Sequence, residues 1–92
     1  MKKYYLIDNR HKRENEYEVM LETDKYSFRR HFFYTYQTHC WEQDEIEFQH
    51  RFMLNADHYG EITEEEAREV ITRNGGNFDD PVRLPNRIEH TS

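Results

Sequence analysis

Residues 31–41 read HFFYTYQTHCW, and this stretch decides the fold. Five of its eleven residues are aromatic, and it holds the only cysteine and the only tryptophan of the chain. The spacing of the aromatic side chains is compatible with a helix and with a strand. A helix would place some of them along one face, whereas a strand would divide them between two faces. Tyr, Phe, Thr and Trp favour a pleated surface, so we predict a strand over residues 28–41 and keep a helix as the alternative. The helix would bury a single stripe, composed of Phe28, Phe32, Phe33, Tyr36 and Cys40.

Three further segments show the patterns of strands. Residues 3–8 form a short apolar run, and residues 16–23 alternate between apolar and polar side chains apart from Met20. Residues 45–54 alternate cleanly, which predicts another strand, and residues 42–45 would form a hairpin connection before it. A loop is predicted for the polar residues 9–15.

One helix is marked clearly by its ends. Thr63 and Glu66 have the spacing of a capping box, and three consecutive glutamates would face the positive end of the helix dipole. The apolar stripe of this helix is narrow and consists of Ala67, Val70 and Ile71. The helix should end at the run Asn74, Gly75 and Gly76, where a glycine can adopt the left-handed conformation.

Together these elements predict an α+β domain, a small antiparallel meander of about four strands packed by one α-helix in the C-terminal half. We assign residues 1–79 to this domain and residues 80–92, which contain both prolines, to an extended and partly disordered tail. The sheet face beneath the helix would hold Phe33, Trp41, Ile46, Phe48, Phe52 and Leu54. The other face would leave Tyr34 and Tyr36 uncovered, because no second helix is predicted to lie over it.

The composition indicates a folded domain with a thin aromatic core. Hydrophobic residues make up 35% of the 92 residues and aromatic residues 15%, so a few large side chains must supply the buried surface. A single cysteine cannot form an internal disulfide. The apolar run at residues 4–7 is too short for a signal sequence or a membrane span, so we expect an intracellular, cytoplasmic protein without a membrane partner.

Charge is distributed unevenly along the chain. Residues 1–39 contain 8 Lys and Arg against 6 Asp and Glu, whereas residues 40–80 contain 3 against 12 and carry a net charge of −9. Phosphate binding depends on clustered basic side chains, which disfavours nucleic acid as the partner of this acidic block. A basic surface on a larger protein is the expected partner, with simple solvation of the surface as the alternative explanation.

No motif for phosphate binding or catalysis is present, and we predict neither an enzyme nor a cofactor. Histidine is frequent, with six residues, but His39, Cys40, His50 and His58 lack the paired spacing of structural zinc ligands. On a strand, His39 would point away from Cys40 and could not act as its base. Cys40 is therefore predicted to be a buried, unreactive thiol.

The sequence favours a small non-catalytic protein-binding module, an inhibitor or regulator that covers a basic, nucleic-acid-handling site on a larger protein as a DNA mimic would. In size and charge alone it resembles the inhibitors of host defence that phages and mobile elements encode. The residues predicted to contact the partner are Tyr34, Tyr36, Glu45, Glu47, Glu64, Glu65 and Glu69.

Two other functions stay open at this point. A nucleic-acid-binding regulator would use Arg29, Arg30 and the tyrosine-bearing sheet face, where aromatic rings can stack on bases. A small metal-binding protein would use His39, Cys40, His50 and His58. The oligomeric state is also left open, whichever function holds, since a homodimer would bury an uncovered aromatic face or an unpaired edge strand.

Overall fold

The structure is a computed structural model that describes residues 1–8, 17–26, 28–50, 59–84 and 87–90. Within these ranges the chain forms seven strands and two helices. The strands are β1 (Lys2–Asp8), β2 (Tyr17–Thr23), β3 (Arg30–Thr35), β4 (Cys40–Gln43), β5 (Tyr59–Ile62), β6 (Pro81–Leu84) and β7 (Arg87–His90). The helices are α1 (Glu45–Phe48) and α2 (Glu64–Arg73). The predicted loop at 9–15 and the side chains of Phe52, Leu54 and His58 lie outside the described residues.

All seven described strands belong to one sheet, in the order β5-β1-β2-β3-β4-β6-β7. Neighbouring strands are antiparallel apart from β4 and β6, which are parallel. The predicted α+β class is confirmed, as are the predicted strands that correspond to β1 and β2. The sheet has more strands than the four of the predicted meander, and the described residues contain one more helix.

One face of the sheet, which we call the helix face, carries the main core beneath α2. Aromatic rings fill much of this core: the ring centroid of Trp41 lies 5.4 Å from that of Tyr34 and 5.7 Å from that of Phe78, with edge-on geometry. Its buried residues are Tyr4, Val19, Leu21, Phe32, Tyr34, Trp41, Ala67, Val70, Ile71, Phe78, Val82 and Leu84. The predicted stripe of α2 is thus confirmed as its buried side.

The ends of α2 follow the predicted signals. Thr63 accepts a hydrogen bond from the backbone N–H of Glu66 at 3.1 Å, and the Glu66 carboxylate accepts one from the N–H of Thr63 at 3.0 Å. At the other end Gly75 has a φ of 89°, and the N–H of Gly76 donates to the carbonyl of Ile71 at 2.9 Å. This pair of helix-ending features is the Schellman arrangement, in which glycine supplies the left-handed residue.

Residues 28–41 contain β3 and the first two residues of β4, not the single predicted strand, and the alternative of a helix is also wrong. Strands β3 and β4 are joined by a four-residue turn at 36–39, so the predicted connection at 42–45 is wrong as well. In this turn His39 adopts the left-handed conformation, with a φ of 53°. Histidine visits this conformation more often than most non-glycine residues, although less readily than glycine or asparagine.

The position of this turn changes the predicted faces of Tyr34 and Phe33, whereas Trp41 lies beneath the helix as predicted. Tyr34 pairs with Trp41 across the hairpin, and residues that face each other in an antiparallel pair share one side of the sheet. Both side chains therefore lie on the helix face. Phe33, predicted to lie beneath the helix, is on the opposite face, because successive side chains of a strand alternate.

The strand predicted for residues 45–54 is also wrong over its described part, because α1 begins at Glu45; residues 51–54 lie outside the described residues. Asp44 is the N-cap of α1, and its carboxylate accepts a hydrogen bond from the backbone N–H of Glu47 at 2.9 Å. This local bond outweighs the alternating pattern of the segment. Ile46, which was predicted to be in the core, is 71% exposed.

Residues 80–92 were assigned to an extended tail outside the domain. Instead, β6 lies beside β4 and β7 pairs with β6, so both are part of the same sheet. Val82 and Leu84 alternate with the exposed Arg83 and are buried on the helix face. This segment completes the core and is not peripheral to it.

The opposite side of the sheet, which we call the second face, carries a smaller apolar cluster of Ile7, Met20 and Phe33. Tyr5 and Phe48 pack against this cluster, so α1 covers part of the face that the sequence prediction left bare. None of the helices in the described ranges is long and apolar enough to cross a membrane.

Candidate functional site

Tyr34 lies in the core, which corrects the prediction that it forms part of an exposed contact surface. Its side chain is 1% exposed, because the turn at 36–39 places it beside Trp41 beneath α2. Tyr36 is half-buried, and its ring meets that of Tyr34 edge-on with the centroids 4.8 Å apart. Burial also raises the pKa of the Tyr36 hydroxyl. The uncovered tyrosine face that was predicted is therefore not formed.

Two polar groups of the core, the Tyr34 hydroxyl and the Trp41 indole N–H, form hydrogen bonds with the segment that follows α2. The hydroxyl of Tyr34 donates to Asp80 Oδ2 at 2.5 Å and accepts a hydrogen bond from the backbone N–H of Asn77 at 3.0 Å. Burial and the Asp80 carboxylate raise the pKa of the Tyr34 hydroxyl above its ordinary value. The indole N–H of Trp41 donates to the backbone oxygen of Phe78 at 3.1 Å. These side chains stabilise the fold.

The predicted contact residues Glu64, Glu65 and Glu69 are exposed on α2. Burial, followed by the neighbouring Glu64 carboxylate, raises the pKa of the Tyr4 hydroxyl to about 12. Glu69 Oε1 lies 3.7 Å from Arg73 Nη1, one helical turn away. Helix formation thus explains much of this acidic surface, since carboxylates near the N-terminus and i,i+4 ion pairs both favour α2.

A second acidic surface lies on the second face, in a groove of about 280 Å³ that we call the acidic groove. Its lining consists of Glu18, Phe33, Thr35, Glu42, Gln43, Asp44 and Glu47. The described lining therefore holds four carboxylates and no basic side chain, and it includes the buried residue Phe33. Of these carboxylates, only that of Glu47 was among the predicted contact residues.

Strand register explains why the carboxylates of the acidic groove converge. Phe33 pairs with Met20 on one side and with Glu42 on the other, which places all three on the second face. Glu18, two residues before Met20, faces the same way. The start of α1 then brings Glu47 to the same groove. In the sequence, only the alternation of glutamates in β2 indicated this acidic surface. The strands that pair with β2 had to be known before the other carboxylates could be placed beside it.

Some carboxylates of the acidic groove are engaged by neighbouring side chains. Glu42 Oε2 accepts a hydrogen bond from the hydroxyl of Thr38 at 2.6 Å, and Glu42 Oε1 lies 3.8 Å from Arg83 Nη1. Asp44 caps α1 through the N–H of Glu47. These contacts hold the carboxylates in place while leaving unused acceptor positions on their oxygens.

Beside the acidic groove, the second face contains a buried histidine between two carboxylates. His31 is 5% exposed, with Nε2 3.0 Å from Glu22 Oε2 and Nδ1 2.7 Å from Glu45 Oε1. The ring of Phe48 stacks on the imidazole, with the centroids 3.5 Å apart and the planes at 8°. β2, β3 and α1 each contribute to this cluster, which was not predicted from the sequence.

Glu45, which was predicted to contact a partner, is committed to this cluster. Its Oε2 accepts hydrogen bonds from the backbone N–H of His31 at 2.8 Å and from Gln43 Nε2 at 3.2 Å. Burial raises the pKa of the Glu45 carboxyl, but the hydrogen bonds from His31 and Gln43 outweigh this and hold the pKa below its usual value. Glu45 is therefore an anchor of α1 to the sheet.

The residues of the metal-binding alternative are dispersed. His39 is exposed in the turn, Cys40 is buried as predicted, and His50 is exposed just after α1. His58 lies outside the described residues. Among the residues that the structure describes, no group of three or more His, Cys, Asp or Glu side chains is placed to hold a metal ion.

The residues of the nucleic-acid alternative lie near the start of β3. The guanidinium of Arg30 lies 4.4 Å from the ring centroid of Phe28, and its Nη1 donates to Gln43 Oε1 at 3.5 Å. Arg29 is exposed. The tyrosine surface that would stack bases beside these arginines is absent from the described surface, because Tyr34 is buried.

Comparison of the chain with models of known protein families, with curated proteins and with solved structures finds no match. The acidic groove and the surfaces around it are therefore the basis on which a function can be inferred.

Proposed function

We propose that this chain is a non-catalytic protein-binding module that engages a basic surface of a larger protein through its acidic groove. The observation that carries the proposal is the convergence of four carboxylates in a concave site whose described lining has no basic side chain. Carboxylates in a concave site focus negative potential and attract basic partners. An arginine or lysine of the partner can place its aliphatic stem near Phe33 while its charged end meets the carboxylates.

The acidic groove is a stronger candidate than the glutamates of α2. On α2, the acidic residues of the first turn and the pair of Glu69 with Arg73 serve the helix itself. In the groove, Glu18 of β2, Glu42 of β4 and Glu47 of α1 come from three separate elements, so the formation of one helix does not explain why they converge. The two surfaces also lie on opposite sides of the sheet, so each can be tested separately.

A more specific form of the proposal is an inhibitor that occupies a basic, nucleic-acid-handling site as a DNA mimic, in the manner of phage or mobile-element inhibitors of host defence. Its support is the net charge of −9 over residues 40–80. It is also supported by the exposed carboxylates on α2, which extend the negative field beyond the groove. A protein that normally binds phosphates offers the complementary positive surface.

Two matched double variants test the proposal. Glu18→Lys with Glu47→Lys reverses two charges in the acidic groove, and Glu65→Lys with Glu69→Lys reverses two charges on α2. Both pairs change the net charge by the same amount, so the total charge cannot explain a difference between them in binding. Binding is measured by fluorescence anisotropy with a labelled oligoarginine peptide, at low and at physiological salt. Circular dichroism confirms that each variant is folded.

We expect the wild type to bind the peptide and the groove variant to lose about tenfold or more in affinity, or about 1.4 kcal/mol. The α2 variant should lose less than about threefold, because its charges lie on the other side of the sheet and are screened. Equal losses in both variants would contradict a specific role of the groove. The same variants with duplex DNA test the nucleic-acid alternative, which predicts wild-type binding that both reversals strengthen.

A further inference from the structure

The turn between β2 and β3 carries positive charge, in contrast to the acidic surfaces described above. We call it the basic turn and define it by Lys25, Phe28, Arg29 and Arg30. Asp24 is the carboxylate closest to it in sequence, and its Oδ1 lies 2.9 Å from the terminal amino group. The whole chain has 19 Asp and Glu against 13 Lys and Arg, so three basic residues with one acidic neighbour depart locally from its composition.

The two arginines of the basic turn differ in their partners from the other arginines whose side chains are described. Those others each lie within 3.8 Å of a carboxylate oxygen, and they are Arg68, Arg73 and Arg83. Among the described residues, no carboxylate forms such an ion pair with Arg29 or Arg30. Arg29 is exposed, and the recorded hydrogen bond of the Arg30 guanidinium is the one to Gln43 Oε1 at 3.5 Å. Both guanidinium groups therefore keep donors for a ligand.

An exposed aromatic ring accompanies these donors. Phe28 is 60% exposed, and the guanidinium carbon of Arg30 lies over its ring, 4.4 Å from the centroid. A cation over one face of a ring is attracted to it and keeps the ring and the guanidinium together. All other aromatic side chains that the structure describes are buried or half-buried. Phe28 is thus the ring of the described surface that has room to receive a second planar group.

We propose that the basic turn binds single-stranded nucleic acid, with a base stacked on Phe28 and the neighbouring phosphates held by Arg29 and Arg30. Aromatic side chains stack on unpaired bases whatever the base, and arginine donates two parallel hydrogen bonds to phosphate oxygens. Lys25 adds a third positive charge to the same turn. This surface replaces the tyrosine face that the nucleic-acid alternative required, and the proposal is independent of the acidic groove.

The ring distinguishes a single strand from other anionic partners. A run of carboxylates satisfies the arginine donors but offers no planar face to Phe28, and the bases inside a duplex are already stacked on one another. The acidic surfaces elsewhere on the chain repel phosphates beyond the turn, so the contact covers only a few nucleotides. With three positive charges engaged, a plot of the logarithm of the binding constant against the logarithm of the salt concentration should have a slope of about −2.

Fluorescence anisotropy of the full chain with three labelled probes tests the proposal. The probes are a short oligothymidylate, an abasic oligomer with the same number of phosphates, and an oligoglutamate of equal charge. At low salt the oligothymidylate should bind at least about fivefold more tightly than the abasic oligomer, because only the former can stack its bases. It should also bind more tightly than the oligoglutamate. No binding of the oligothymidylate, or an affinity equal to that of either other probe, would overturn the proposal.

Two variants of the turn separate stacking from charge. Phe28→Leu keeps an apolar side chain but removes the ring, so the preference for the oligothymidylate over the abasic oligomer should disappear. Arg29→Gln should weaken the binding of both oligomers by about threefold or more and reduce the magnitude of the salt slope by about 0.7. Both side chains are exposed, so each variant should fold as the wild type does, which circular dichroism verifies.

Arg73→Gln is the matched control for Arg29→Gln, because it removes the same charge from an exposed arginine at the end of α2. Arg73 acts on the hydroxyl of Tyr36, which follows the end of β3 opposite to Arg30. The affinity of this control for the oligothymidylate should stay within about twofold of the wild type, since distant charges are screened. Equal losses in the two arginine variants would overturn a specific site at the basic turn. A preference for bases that persists in Phe28→Leu would overturn the stacking.

Discussion

Replacement of Gly76 by alanine should destabilise the fold through a steric conflict with Tyr34. A Cβ atom on Gly76 would lie 2.6 Å from Cε2 of Tyr34 and 2.7 Å from its hydroxyl oxygen, well inside van der Waals contact. The ring cannot retreat easily, because it is 1% exposed and its hydroxyl is bonded to Asp80 and to the N–H of Asn77. Either the ring or the backbone must therefore shift.

A backbone shift at Gly76 would also be costly, since its N–H donates to the carbonyl of Ile71 and closes α2. Overpacking of a core costs about 1–3 kcal/mol, and a weakened hydrogen bond adds about 1 kcal/mol. We therefore expect the free energy of unfolding to fall by about 2–4 kcal/mol. Tyr34→Phe removes the two hydroxyl bonds that hold the ring, so its effect should be less than additive with Gly76→Ala.

Gly75→Ala is the matched control, because it changes the neighbouring glycine without a clash. Nothing lies within 4 Å of a Cβ at Gly75, but the φ of 89° disfavours any side chain. The left-handed conformation costs about 1–2 kcal/mol, and the reduced freedom of the unfolded chain returns part of this. We expect a loss of about 1 kcal/mol. Urea unfolding followed by Trp41 fluorescence measures both variants, and a Gly76 variant no less stable than the Gly75 variant would refute the steric reasoning.

Three other substitutions probe the cap, the core and the response to pH. Thr63→Ala removes the capping box with Glu66, so the free energy of unfolding should fall by about 1 kcal/mol in urea titrations followed by circular dichroism; an unchanged value would contradict the role of the cap. Trp41→Phe leaves the carbonyl of Phe78 without its donor and should cost about 2–3 kcal/mol in the same assay. Burial, and after it a neighbouring carboxylate, raises the pKa of the Tyr4 hydroxyl from 10.0 to about 12. The stability that neutral Tyr4 contributes is therefore complete below pH 10 and is lost as the pH rises through about 12. Tyr4→Phe should therefore lose stability less steeply over this window, by about 1.4 kcal/mol per pH unit, and an identical slope for wild type and variant would contradict this assignment.

Elements with local signals could be predicted from the sequence, and those that depend on distant partners could not. The start of α2 is determined by Thr63 and Glu66, three residues apart, and its end by Gly75. The turn at 36–39 contains neither glycine nor asparagine, so nothing in its residues marks it. The strand β6 joins the sheet beside β4, a pairing between residues about forty positions apart that no local pattern shows.

The beginning of α1 illustrates a conflict between two local signals. The alternation of residues 45–54 favours a strand, whereas Asp44 and the acidic residues after it favour a helix start. The helix prevails because Glu45 gains three hydrogen bonds from His31 and Gln43, and because Phe48 stacks on the imidazole. None of these partners is visible from the segment itself, so the contacts of His31 and Glu45 could not have been predicted from it.

The position of the turn between β3 and β4 explains why the observed candidate site differs from the predicted one. A connection at 42–45 would have separated Tyr34 from Trp41, whereas the turn at 36–39 pairs them and buries both beneath α2. A chain with few hydrophobic residues needs its large rings in the core, which favours the hairpin that buries the most aromatic surface. The same hairpin places Glu42 beside Phe33 on the second face. The carboxylates that converge there are thus a consequence of the packing that removed the tyrosine from the surface.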